Sequence, residues 1–157
     1  MKFTSAGFFL WASFAFSTLA FAQTNVLNYA PPKTVIAKTG GTAEAALSLK
    51  LDAGYHVNSN TPSNPYLIPL RLTWSAGPPE TIEVVFPPPR TEKFGFSETS
   101  LSVFTGDLEI VTRFKVAATA ALGSGTLTGK LRYQACNDRT CLTPKTIDVT
   151  LPVEIVK

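Results

Sequence analysis

Three features of the sequence predict an all-β fold. Apolar and polar residues alternate with period 2 in segment after segment, the signature of strands buried on one face. The chain is rich in Val, Leu and Thr and carries 12 prolines, a composition that favours strands and loops over helices. No stretch sustains the 3.6-residue period of an amphipathic helix. Six to eight one-sided strands in about 130 residues are best satisfied by two antiparallel sheets packed face to face, an immunoglobulin-like antiparallel β-sandwich.

The elements follow in chain order. Residues 33–38 give a short candidate strand. Residues 44–51 place Ala45, Leu47, Leu49 and Leu51 on one face against Glu44, Ser48 and Lys50 on the other. Residues 54–58 are a second short candidate. Residues 68–74 set Ile68, Leu70, Leu72 and Trp74 against Pro69, Arg71 and Thr73, and residues 81–86 set Ile82, Val84 and Phe86 against Thr81, Glu83 and Val85. Residues 107–117 alternate Leu108, Ile110, Thr112, Phe114 and Val116 with Glu109, Val111, Arg113 and Lys115. Residues 126–135 turn Leu127, Gly129, Leu131, Tyr133 and Ala135 inward, and residues 146–155 do the same with Ile147, Val149, Leu151, Val153 and Ile155. Gly77-Pro78-Pro79 and Pro87-Pro88-Pro89 punctuate loops. The longest irregular stretches, 57–67 and 87–100, exceed ordinary hairpin loops, and long loops on a rigid sandwich often carry function.

Residues 1–22 read as a signal peptide. Lys2 is followed by the apolar run Gly7–Phe16, too short to span a bilayer comfortably, and Ala20-Phe21-Ala22 gives the small-x-small cleavage pattern before Gln23. Residues 23–157 then form one domain, large enough for its own core, with no internal repeat. Export would deliver the chain to an oxidising compartment, where disulfides form and persist. The formal net charge of +3 falls to about +2 once Lys2 is removed, and the basic residues are scattered, which argues against nucleic-acid binding.

The two cysteines, Cys136 and Cys141, lie in Tyr133-Gln134-Ala135-Cys136-Asn137-Asp138-Arg139-Thr140-Cys141, with Pro144 beyond. Four residues separate them. In a strand–turn–strand they would face each other with Cα atoms about 4.5–5.5 Å apart, within reach of a disulfide. On a helix the same spacing would turn them roughly 140° apart. The spacing therefore favours a local disulfide on a sheet. Such a bond is either a staple or a reagent. As a staple it is weak: closing so small a loop contributes about 2 kcal/mol in the chain-entropy model, against roughly 4.7 kcal/mol for a hundred-residue loop. As a reagent it supplies the two thiols that exchange chemistry requires, one to attack and one to resolve. Arg139 could lower a thiolate pKa and Asp138 could offset it or help move a proton; the same residues also make an ordinary polar turn.

Other chemistries lack residues. There is no Cys-x-x-Cys and no haem-attachment motif. A metal site is not expected, because two cysteines and the lone His56 fall short of the four ligands that zinc takes. A Ser/His/Asp triad would also have to use His56, with no nucleophile elbow nearby. His56 reads as a hydrogen-bonded strand-end residue, and Trp74, Phe86 and Tyr133 read as packing.

The Tyr133-Gln134-Ala135-Cys136 hairpin with Cys141 and Pro144 resembles the active-site hairpin of the N-terminal domain of the thiol:disulfide interchange protein DsbD. Gly54-Tyr55-His56-Val57-Asn58-Ser59-Asn60 with Ile68-Pro69-Leu70 resembles that family's early strands. Phe94-Gly95 with Ser97-Glu98 resembles the loop that caps its cysteines, and Val149-Thr150-Leu151-Pro152-Val153 also fits. The similarity covers most of residues 30–157. It implies an immunoglobulin-like domain in the periplasm that exchanges electrons through Cys136 and Cys141, with Cys141 as the first nucleophile and Glu92, Lys93, Phe94 and Gly95 in the cap loop. It implies no bound cofactor. The implied partners are periplasmic thioredoxin-like or disulfide isomerase proteins and thiol reductases of cytochrome c maturation. The membrane electron carrier would be a separate protein, since this chain ends after one domain. Two departures stand out: the best-known members have five residues between the cysteines, and their cap has two adjacent aromatics where this chain has Lys93 and Phe94. The rival reading is a non-catalytic immunoglobulin-like binding module, its sandwich edge or the 57–67 and 87–100 loops recognising a protein while the disulfide merely fixes the hairpin.

Overall fold

The computed structural model describes residues 25–157, and the signal-peptide expectation for residues 1–22 lies outside them. All regular structure among the described residues is β, in twelve strands: β1 (Leu27–Ala30), β2 (Val35–Lys38), β3 (Thr42–Leu51), β4 (His56–Asn58), β5 (Arg71–Trp74), β6 (Glu80–Val85), β7 (Arg90–Glu92), β8 (Leu101–Thr105), β9 (Asp107–Lys115), β10 (Gly123–Tyr133), β11 (Ala135–Cys136) and β12 (Lys145–Val156). They build an immunoglobulin-like sandwich from two main sheets, ordered β1-β3-β9-β6 and β2-β12-β10-β5, and a third, smaller sheet ordered β11-β4-β8-β7.

The main sheets follow the alternation. β3 buries Ala43, Ala45, Leu47, Leu49 and Leu51, and β9 buries Leu108, Ile110, Thr112 and Phe114, the two strands running antiparallel from Thr42↔Lys115 to Lys50↔Asp107. β10 and β12 pair over eleven residues, from Gly123↔Ile155 to Tyr133↔Lys145. Their inward residues form two clusters. One holds Leu47, Leu49, Leu72, Leu131, Tyr133 and Val149, and the other, toward the opposite end, holds Ala45, Phe114, Leu127, Leu151 and Val153. Trp74 bridges the two and donates its Nε1–H across the sandwich to buried Thr112 Oγ1 at 3.0 Å. Gly129 lies opposite Trp74 because nothing larger fits: a Cβ there would lie 2.7 Å from Trp74 Cε3. The outward faces carry ion pairs, Arg113 with Glu44 and Glu83, and Lys130 with Asp148.

Three departures from the expected pattern have local causes. Ile82 is exposed because the β6–β9 register shifts between Thr81 and Glu83, so the alternation slips there. β2 joins β12 in parallel, by Val35↔Val153 to Val156↔Lys38, where an antiparallel pairing was expected. The third sheet was not foreseen as a layer at all. It arises because the central pair of the first sheet bends: β8 passes into β9 through Gly106 at φ +65°, a conformation natural to glycine, while β3 passes into β4 through residues 52–55. Beyond the bend the same two chains pair again, His56↔Thr105 to Asn58↔Val103. From the second sheet, β10 reaches the third by a break at Gln134 and continues as β11. The third sheet thus joins both main sheets at one end of the sandwich.

Candidate functional site

The cysteine pair sits on the third sheet. β11 carries Ala135 and Cys136 beside β4, with Ala135 opposite Val57 and Cys136 opposite His56. Val57, Phe104 and Ala135 enter the core, so one face of this sheet belongs to the sandwich. Side chains directly opposed in a ladder leave the sheet on the same face. Cys136, His56 and Thr105 therefore form a row on the other face.

After Cys136 the chain turns tightly. Asn137 Oδ1 accepts hydrogen bonds from the Arg139 and Thr140 amides, both at 2.9 Å, and the Asn137 amide donates to the Thr140 carbonyl. The Leu142 amide donates to the Ala135 carbonyl. These two backbone bonds flank Cys136 and Cys141 and make them a non-hydrogen-bonded pair, the site in an antiparallel ladder where side chains come closest. The cysteines form a disulfide with Cα atoms 3.9 Å apart, closer than the expected 4.5–5.5 Å. Gln134 holds the returning strand by donating from Nε2 to the Leu142 carbonyl at 3.0 Å. The motif that drew attention in the sequence thus has a division of labour: Tyr133 anchors in the core, Gln134 fixes the far arm, and Cys136 faces Cys141.

The two sulfurs differ in surroundings. Cys136 is 2% exposed, whereas Cys141 is exposed. On the buried side stands an aromatic stack. Phe94 lies on the His56 imidazole with ring centroids 4.0 Å apart, and Phe96 lies 5.5 Å from Phe94 in near-parallel orientation. The stack comes from the β7–β8 connection, which closes on itself through the Ser97 amide to the Phe94 carbonyl, Ser97 Oγ to the Thr99 carbonyl, and Lys93 Nζ to the Glu98 carbonyl. Glu92 ends β7. A second loop lines the same face: Asn58 Nδ2 donates to the Ile68 carbonyl, and Ser63 Oγ donates to the Ser100 carbonyl. His56, Val57 and Asn58 are consequently all buried, with both faces of β4 covered.

Burial pulls the His56 proton affinity below the ordinary histidine value, and the negative charges of Glu92 and Asp138 partly offset it. Those two carboxylates belong to different elements, the end of β7 and the cysteine hairpin. Arg139 is exposed in the turn and contributes its backbone amide. Gly95 is the exposed link between the two phenylalanines. Among the described residues no cluster of His, Cys, Asp and Glu could hold a metal ion. A groove of about 720 Å³, lined by Trp74, Ser75, Pro78, Thr81 and Lys115, adjoins β5 and β6 rather than the cysteine hairpin.

Sequence reasoning missed two residues here. Phe96 supplies the second ring that the cap lacked at position 93, from the far side of Gly95; an aromatic two residues on was the available signal. His56 does not have the hydrogen bond expected of a strand-end histidine, since its buried Nε2 has no partner. Its neighbour relation to Cys136 depends on inter-strand register, which short β4 did not reveal.

Fold and site together define a class: an immunoglobulin-like domain with a cross-strand disulfide at one end, one cysteine exposed and the other buried beside the histidine on which the aromatic rings stack. The family model described as "Thiol:disulfide interchange protein DsbD, N-terminal" matches residues 26–152, and the chain belongs to that family. Among solved structures, the N-terminal periplasmic domain of ScsB from Proteus mirabilis aligns with TM-score 0.53 at 13% identity, covering 75% of this chain; this chain spans 43% of that one. The Neisseria meningitidis DsbD N-terminal domain in the reduced form aligns with TM-score 0.49 at 14% identity, covering 78% of this chain and 84% of that one. No curated protein matches the chain.

Proposed function

We propose that this chain is a periplasmic thiol–disulfide interchange domain that passes electrons between protein partners through Cys136 and Cys141. The observation that carries the reading is the asymmetry of the disulfide, with Cys141 exposed at the turn and Cys136 buried beside His56, on which Phe94 stacks. Exchange proceeds by in-line attack on one accessible sulfur, and a pair with one open and one covered sulfur directs the partner to the open one. In the reducing direction the Cys141 thiolate attacks a partner disulfide and forms a mixed disulfide. Cys136 then attacks Cys141, the internal bond re-forms, and the partner leaves as a thiolate. Arg139, in the loop between the cysteines, favours the Cys141 thiolate by its charge, and Asp138 moderates it. The residues 92–95, with Phe96, act as the cap. The partners are thioredoxin-like or disulfide isomerase proteins of the periplasm, and the reaction uses no cofactor.

The test is the reduction potential of the Cys136–Cys141 bond, set by equilibration with glutathione or thioredoxin. A value of roughly −120 to −270 mV is expected, and one below about −300 mV would mark a structural staple and overturn the reading. Cys136→Ser should leave a Cys141 that traps a thioredoxin-fold partner covalently, while Cys141→Ser should trap poorly.

A further inference from the structure

One buried titratable group has no part in the exchange described so far. His56 is 2% exposed, and its Nε2 has no hydrogen-bond partner. A buried polar atom left unpartnered is costly, and such an atom beside a reactive pair asks for a chemical reason. The register supplies one. His56 is the ladder partner of Cys136, so the two side chains leave the sheet on one face with Cβ atoms about 4.5–5.5 Å apart. In the oxidised protein the Cys136 sulfur carries neither a proton nor a charge. Reduction gives it both possibilities.

We propose that His56 is the proton acceptor for Cys136 in the resolving step, an assignment that rests on the exchange reading above. The Cys136 S–H bond breaks and its proton passes to the imidazole. The sulfur electron pair attacks Cys141 Sγ, the Cys136–Cys141 bond forms, and the bond from Cys141 to the partner sulfur breaks. Cys136 and Cys141 are oxidised to the disulfide, and the partner sulfur departs with the electron pair and takes up a proton from the imidazolium or from water. In the opposite direction the imidazolium returns the proton to Cys136 as it is expelled.

The surroundings suit that task. Burial among Phe94 and Phe96 keeps the imidazole neutral and so free to accept a proton. The charges of Glu92 at the end of β7 and Asp138 in the cysteine hairpin favour the protonated form once it arises. The Lys93 ammonium is engaged by the Glu98 carbonyl. The other buried atom without a partner, Tyr133 Oη, belongs to the core cluster on the opposite side of the hairpin strand.

His56 is the only histidine of the chain, so its titration can be read directly by NMR in the wild-type protein. Coupled to the Cys136 thiol, its titration should change on reduction of the disulfide, gaining a second step in the range where the thiol ionises. In Cys141→Ser, the ultraviolet absorbance of the Cys136 thiolate should appear at lower pH than in the same protein carrying His56→Phe, which retains a ring for the stack. Superimposable histidine titration curves in the two redox forms would overturn the inference, whatever His56→Phe does to folding. A redox-shifted histidine beside a bond that fails to exchange would support the coupling and overturn the exchange reading. An exchanging bond with an unshifted histidine would overturn the coupling alone.

Discussion

Replacing Phe94 with alanine removes the ring that lies on His56, the ladder neighbour of buried Cys136. Phe94 makes two ring contacts, with His56 at 4.0 Å and with Phe96 at 5.5 Å between centroids. Each aromatic pair contributes about 0.5–1.5 kcal/mol beyond its area, so the loss amounts to about 1–3 kcal/mol. If that energy holds the cap closed, Phe94→Ala multiplies access to Cys136 about 5- to 150-fold. Cys141 is already exposed and should change little. The assay is alkylation of the reduced protein by iodoacetamide, followed by tryptic peptide mapping. The sequence makes this clean, because cleavage after Arg132, Arg139 and Lys145 puts Cys136 and Cys141 in separate peptides. The wild-type protein should label faster at Cys141, and Phe94→Ala should narrow the ratio. An unchanged ratio, or an equal acceleration at both cysteines, would refute the claim that the ring screens one sulfur selectively.

Three further predictions concern stability. Gly129→Ala forces a Cβ to 2.7 Å from Trp74 Cε3 and 3.0 Å from the Thr73 carbonyl, and should cost about 1–3 kcal/mol in urea unfolding with a change in tryptophan fluorescence. Thr112→Val leaves the Trp74 Nε1–H without its acceptor between the sheets and should cost about 1–3 kcal/mol, whereas Thr112→Ser should restore most of it. The oxidised wild-type protein should lose stability relative to His56→Phe as pH falls below about 6.5, by at most about 1.4 kcal/mol per pH unit. The sign follows from burial: the folded imidazole takes up its proton at lower pH than the unfolded one, so acid favours the unfolded chain, while above that range both are neutral and the difference levels off. Thermal unfolding of both proteins across pH 5–8 checks it.

The long strands were legible because each needs only its own alternation. β3, β9, β10 and β12 bury the residues that period 2 assigned inward, from Leu47 to Val153. Three short strands were not. β1, β7 and β8 hold 4, 3 and 5 residues, too few for a period to declare itself, and β7 lies in a stretch rich in proline. Ile82 was misplaced because a bulge depends on the partner strand as much as on the strand that carries it. At the site, the cysteine spacing and the Tyr133–Cys136 motif were visible because they are local. The position of His56 beside Cys136 was hidden, since the two are brought together by pairing across 80 positions of sequence, and no local pattern encodes a register.

The hairpin that carries the cysteines is held by its own backbone. Asn137 pairs with Thr140, Leu142 pairs with Ala135, and the Gln134 and Asn137 side chains fasten the ends of the turn, all without the sulfurs. Breaking the disulfide therefore frees very little chain. In the exchange proposed above, this amounts to a low reorganisation cost: a hairpin held by its own backbone needs no refolding between one round of transfer and the next.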